Sequence, residues 1–109
     1  MANRLVVYTR TTQCPYWDRA KAFLDAHNVP YQMLNIELDP AAAQRLHGWL
    51  GNLTVPTMVI AAENSVEPFF PPAPLADDQS AHGVDRGTMF TEPSDRRLEI
   101  FLRRHRIMK

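Results

Sequence analysis

Cys14 is the only cysteine in a chain of 109 residues. It stands in Thr11-Thr12-Gln13-Cys14-Pro15-Tyr16-Trp17, between the apolar run Leu5-Val6-Val7-Tyr8 and a stretch patterned as a helix. A strand therefore delivers a thiol to the start of a helix, where unpaired N–H groups carry partial positive charge and favour the thiolate, the reactive form. Pro15 fits the first helical turn, because its missing N–H is one that the helix would leave unpaired anyway. A dithiol redox site would place a second cysteine at the end of a C-x-x-C motif, and here that position is Trp17. Whatever Cys14 attacks, no neighbouring thiol can resolve the product. A lone cysteine is often just a small buried apolar residue, but this placement favours a nucleophile.

The elements that must hold the thiol follow from periodicity. Leu5 to Tyr8 is a continuous apolar run, as in a strand buried on both faces, and Tyr16, Ala20, Phe23, Leu24 and His27 then recur at helical spacing. Asn28-Val29-Pro30 ends that helix, and Tyr31 to Leu38 reads as a second strand with Leu34, Ile36 and Leu38 alternating. Asp39-Pro40 caps and opens a second helix carrying Ala42, Leu46, Trp49 and Leu50, which stops near Gly51. Phe23 and Trp49 are expected in the core. Thr57 to Ala62 supplies a third strand.

From 63 to 86 the pattern is lost. Pro68, Pro71, Pro72 and Pro74 rule out regular structure, and the segment far exceeds the ~4–6 residues of an ordinary connection. An exposed, mobile loop is expected, whose Phe69-Phe70 pair is available to cover a groove or a partner surface. Gly87 to Thr91 reads as a short fourth strand. Ser94 caps a last helix with Asp95 in its first turn and Leu98, Phe101, Leu102 and His105 along one face.

Composition is that of a globular domain, with 45% apolar and 22% charged residues, and 12 basic residues balance 12 acidic ones. Bulk charge gives no reason to expect nucleic acid or an anionic membrane as partner. The basic stretch Arg96 to Lys109 reads as a solvated helix face. No apolar stretch approaches the ~18 residues of a membrane span. With one cysteine and no signal segment after Met1-Ala2, one domain over 1–109, a monomer and a cytoplasmic location are expected. His27, His47, His82 and His105 lack metal-ligand spacing, so no metal site is expected from protein side chains.

Three stretches together resemble the glutaredoxins of the thioredoxin-fold superfamily: Val6-Val7-Tyr8-Thr9-Arg10 with Cys14-Pro15-Tyr16, then Asn28-Val29-Pro30-Tyr31, then Thr54-Val55-Pro56-Thr57 before the third strand. Thr91-Glu92-Pro93-Ser94-Asp95 is similar to the family's turn into the final helix, although the usual glycine pair is missing. The resemblance implies an α/β, thioredoxin-like fold of order β-α-β-α-β-β-α, a four-stranded mixed sheet flanked by helices, with the Pro-rich insertion between strands 3 and 4. It further implies a cis Val55-Pro56 bond, which turns the Val55 backbone toward an extended peptide ligand.

By the same resemblance, Cys14 is catalytic, and Arg10, Gln13, Tyr16, Thr54, Val55, Pro56, Ser94 and Asp95 bind glutathione or substrate. The implied activity is reduction of mixed disulfides by a monothiol route, with glutathione or a similar low-molecular-weight thiol as cosubstrate, glutathionylated proteins as partners and no tightly bound cofactor. Two alternatives stay open: a module holding an iron–sulfur cluster between two copies, against which Pro15 and the bulk of Trp17 argue, and a non-catalytic interaction protein.

Overall fold

The computed structural model describes residues 3–108; Met1, Ala2 and Lys109 lie outside them. The element order is β1 (Asn3–Thr9), α1 (Pro15–Ala26), β2 (Gln32–Asn35), α2 (Pro40–Leu50), β3 (Thr57–Ala62), β4 (Met89–Thr91) and α3 (Asp95–Arg104). The four strands form one sheet in the order β2-β1-β3-β4, with β1 parallel to β2 and the other pairs antiparallel. This is the mixed α/β architecture that the resemblance implies.

β1 lies inside the sheet, and Leu5, Val6, Val7 and Tyr8 are each at most 1% exposed, as the unbroken apolar run requires. Residues directly paired across strands share a face. Val7, Met58 and Phe90 thus line one side, where Phe90 meets Phe101 of α3 edge-on at 5.6 Å. Tyr8, Thr57 and Thr91 line the other, where Tyr8 meets Trp49 of α2 edge-on at 5.4 Å. The sheet is covered on both faces, and α1 packs beside α3. Phe23 and Trp49 are only partly buried and pack on the rim of the core.

β2 is shorter than its alternating pattern suggests. Asn35 ends it: its side-chain oxygen accepts from Glu37 N at 2.9 Å, and its carbonyl accepts from Leu38 N and Asp39 N. This turn drops Leu38 out of register and leaves it 77% exposed. β4 likewise begins at Met89 rather than Gly87, because Arg86 N donates to Met89 O at 2.8 Å and closes a turn in which Gly87 has φ 90°.

The 63–86 insertion lacks regular structure, as its prolines dictate, yet it is strapped to the domain along its length. Tyr8 OH donates to Val66 O at 2.6 Å, Phe69 N to Ile60 O at 2.8 Å and Gly83 N to Thr91 O at 2.8 Å. Phe69 and Phe70 lie by the Ile60 end of β3, remote from the Thr57 end that adjoins the thiol. The returning arm runs beside β4 through bridges of His82 with Thr91 and of Asp85 with Phe90. Three residues of the basic stretch hold it there rather than facing solvent alone: Arg97 donates to Gly83 O, Arg104 pairs with Asp85 at 2.8 Å, and the His105 ring meets Gly87 O.

Arg86 is the hub of these ties. It is 7% exposed and, among the described residues, pairs with no carboxylate; its Nε donates to Ala73 O at 2.8 Å and one terminal nitrogen to Trp49 O at 3.0 Å, at the carbonyl end of α2. Burial pushes the guanidinium below the ordinary arginine range. Arg86→Ala strands both carbonyls without their donors. We expect it to cost about 2–3 kcal/mol, read as a lower urea midpoint at unchanged m-value.

Candidate active site

Cys14 is the N-cap residue of α1, with Pro15 at the first helical position and no side-chain cap on the helix. The thiol therefore stands where a capping side chain would stand, next to N–H groups that no other side chain satisfies. It sits 3.7 Å from Val55 O, and the residue is only 4% exposed. Its access is through a cleft of about 330 Å³ lined by Arg10, Cys14, Tyr16, Leu53, Thr54, Val55 and Glu92. Trp17 points the other way. It is 7% exposed and lies edge-on to Tyr31 at 5.9 Å, so its bulk belongs to the core and does not roof the thiol.

The loop that carries Cys14 from β1 to α1 is pinned by one carboxylate. Glu37 Oε1 accepts from Thr11 N at 2.8 Å and Thr12 N at 2.9 Å, and Oε2 accepts from Thr12 Oγ1 at 2.6 Å. The Thr12 hydroxyl first, then the Thr12 N–H, hold this carboxyl below its usual range, with the Thr11 N–H and the positive charge of Arg10 adding to them. Arg10 reaches from the same loop into the cleft, where its Nε is buried without a hydrogen-bond partner.

The opposite wall is the loop before β3. The Val55–Pro56 peptide is cis. Thr57 Oγ1 lies 3.0 Å from Thr54 O and 2.9 Å from Thr91 Oγ1, and Glu92 N donates to Pro56 O at 2.8 Å. These bonds fix the loop to the end of β4. Thr54 is held in turn by Asn52 Oδ1, which accepts from its N–H and its hydroxyl.

Of the residues singled out in the sequence, Arg10, Tyr16, Thr54 and Val55 share the cleft with Cys14, and Pro56 adjoins it. Gln13 is exposed on the loop, where its carbonyl faces the Arg10 guanidinium at 3.4 Å. Ser94 and Asp95 stand exposed at the head of α3 and do not line the cleft; Ser94 Oγ accepts from Arg97 N at 3.4 Å as a helix cap. Leu53 and Glu92 line it without having been singled out. Glu92 occupies the turn where the resemblance lacked its glycines, and that departure was the signal available.

Two outcomes test this geometry. Glu37→Gln should destabilise the protein at neutral pH, and the difference from wild type should vanish on acidification. A carboxyl depressed on folding stabilises above its ordinary value of 4.5, and that contribution is lost as pH falls through the lower folded value; urea midpoints of both proteins against pH read this. Because the thiol is reached only through the cleft, methyl methanethiolsulfonate should label Cys14 about tenfold faster, or more, than a bulky aromatic disulfide does, each normalised to free cysteine.

The family model described as Glutaredoxin matches residues 5–64, a span from β1 past β3 that contains the Cys14 loop and the Val55-Pro56 loop but not Glu92. Over 64 residues the chain is 39% identical to Glutaredoxin 3 of Escherichia coli K12, an alignment covering 59% of this chain and 75% of that protein. Glutaredoxin 3 from Escherichia coli O157:H7 is similar to the same extent, at 39% over 64 residues. With the thiol-bearing helix start, the cis-proline loop and the four-stranded mixed sheet in place, the chain belongs to the glutaredoxin family.

Proposed function

We infer that this protein is a thiol–disulfide oxidoreductase working by a monothiol route, with glutathione or another low-molecular-weight thiol as cosubstrate. The observation that carries the reading is a single cysteine at the N-cap position of α1, 3.7 Å from Val55 O at the floor of an open cleft, with no second thiol in the chain.

The Cys14 thiolate attacks the glutathione sulfur of a mixed disulfide. The substrate's sulfur leaves as thiolate and takes a proton from solvent, and Cys14 carries the glutathionyl group. A second glutathione thiolate attacks the glutathione sulfur of that adduct, releasing glutathione disulfide and restoring Cys14. One glutathione thiol enters, one substrate thiol leaves and the disulfide bond passes from the substrate to glutathione disulfide, so electrons balance without a cofactor. Val55 and Pro56 align the substrate backbone, with Thr54 and Gln13 at the margins. Arg10 meets a carboxylate, Tyr16 flanks the reacting sulfur, and Ser94 with Asp95 meets the outer end of a longer ligand. The protein acts as one domain and a monomer in the cytoplasm, on glutathionylated or other mixed-disulfide proteins.

Intact-mass measurement after incubation with oxidised glutathione should show one added glutathionyl group, absent in Cys14→Ser. That variant should lose turnover of a glutathionylated peptide by about a hundredfold or more while keeping the wild-type circular dichroism spectrum. Wild-type protein that acquires no adduct overturns the reading.

A further inference from the structure

The insertion reaches the active site through a histidine, not through its Phe69-Phe70 pair. His82, on the returning arm, has its Nδ1 2.8 Å from Glu92 Oε2, and its ring lies edge-on to Tyr16 at 5.9 Å. Glu92 and Tyr16 both line the Cys14 cleft. The Glu92 side chain is only 12% exposed, whereas His82 is 53% exposed, so the histidine braces the carboxylate from outside.

The backbone fixes Glu92 as well. Its N–H is held by Pro56 O at 2.8 Å, and the residue has φ 50°, a left-handed conformation that a glycine would adopt without strain. A glycine here would present only backbone N–H groups, which suit an anion. A glutamate brings a carboxylate to the cleft wall instead, a group that accepts hydrogen bonds and repels an anion.

Sheet order sets the second charge. Arg10 follows β1 and Glu92 follows β4, with the loop before β3 between them. Strands spaced ~4.8 Å apart put the backbones that carry the two residues about 10 Å from one another across the strand ends, and both residues line the cleft. The cleft is polarised, cationic on the β1 side of the thiol and anionic on the β4 side.

We propose that Glu92, braced by the insertion's His82, is a specificity-determining group for the low-molecular-weight thiol, selecting one whose β4-side group donates hydrogen bonds, an ammonium foremost, and discriminating against a carboxylate there. This rests on the reading of Cys14 as the nucleophile.

The test compares thiolation of Cys14 by cystamine, which carries ammonium groups, and by dithiodipropionate, which carries carboxylates. In each case the Cys14 thiolate attacks one sulfur, the disulfide of the reagent breaks, and the departing half leaves as a thiolate that is protonated by water. Rates come from intact mass in the full-length protein. The ratio of the cystamine rate to the dithiodipropionate rate should fall about tenfold in Glu92→Gln and in Glu92→Gly; the glycine variant suits the backbone conformation and guards against a folding defect. His82→Ala should lower the ratio part of the way, and His82→Asn, which keeps a donor near the position of Nδ1, should restore it. A ratio unchanged in both Glu92 variants, or rates lowered equally for both reagents, overturns the inference and leaves the nucleophile standing. A wild-type protein modified by neither reagent removes the nucleophile and the inference together.

Discussion

The antiparallel register of β1 against β3 is the constraint from which the site follows. Tyr8 pairs with Thr57, at the ends of strands whose continuations are the Cys14 loop on one side and the Val55-Pro56 loop on the other. Cys14 and Val55 are forty-one positions apart in sequence, yet this pairing brings Sγ to 3.7 Å from the Val55 carbonyl. A slip of one residue would turn Val6, Tyr8 and their partners to the opposite face of the sheet. Both faces are covered by helices, so such a slip would misplace the packing against Trp49 and Phe101 together. The same burial that makes β1 unable to slide gives the thiol its fixed address.

Much of this was legible from local pattern. The apolar run of β1, the prolines opening α1 and α2, the caps Asp39 and Ser94, and Gly51 closing α2 in a left-handed conformation are short-range signals, and each element stands where they put it. The thiol was legible for the same reason, whereas the cis-proline loop was implied by the family resemblance. Reading failed where a side chain overruled periodicity: Leu34, Ile36 and Leu38 alternate like a strand, but Asn35 bonds to its own neighbourhood and turns the chain first. It also failed where partners are remote in sequence. Nothing around Glu37 announces that it gathers Thr11 and Thr12, and nothing around Arg86 announces that it meets the last turn of α2.

The arginines of α3 illustrate the second kind. As a sequence they read as a charged, solvated face, and part of that face is solvated. Arg97 also lies over the Phe90 ring at 5.0 Å, and Arg104 lies over Phe101 at 5.6 Å while bonding Asp85. Long basic side chains of this kind cover apolar surface with their stems and spend their charge on a neighbouring segment. The insertion is thus read correctly as irregular, while its attachment to α3, to α2 and to the cleft depends on contacts that no window of sequence contains.

The returning arm of the insertion has a further effect on the molecule in solution. A sheet of this order has two outer strands, and each offers a row of unpaired amides and carbonyls on which another chain can add by strand pairing. At β4 the arm has already occupied part of that row, since Gly83 N takes Thr91 O and Arg86 N takes Met89 O. Among the described residues, the margin along β2, a strand of four residues, has no such cover. A deletion that shortened the loop to an ordinary turn would bare the β4 margin beside the reactive sulfur and turn a self-contained sheet into one with a second template for aggregation.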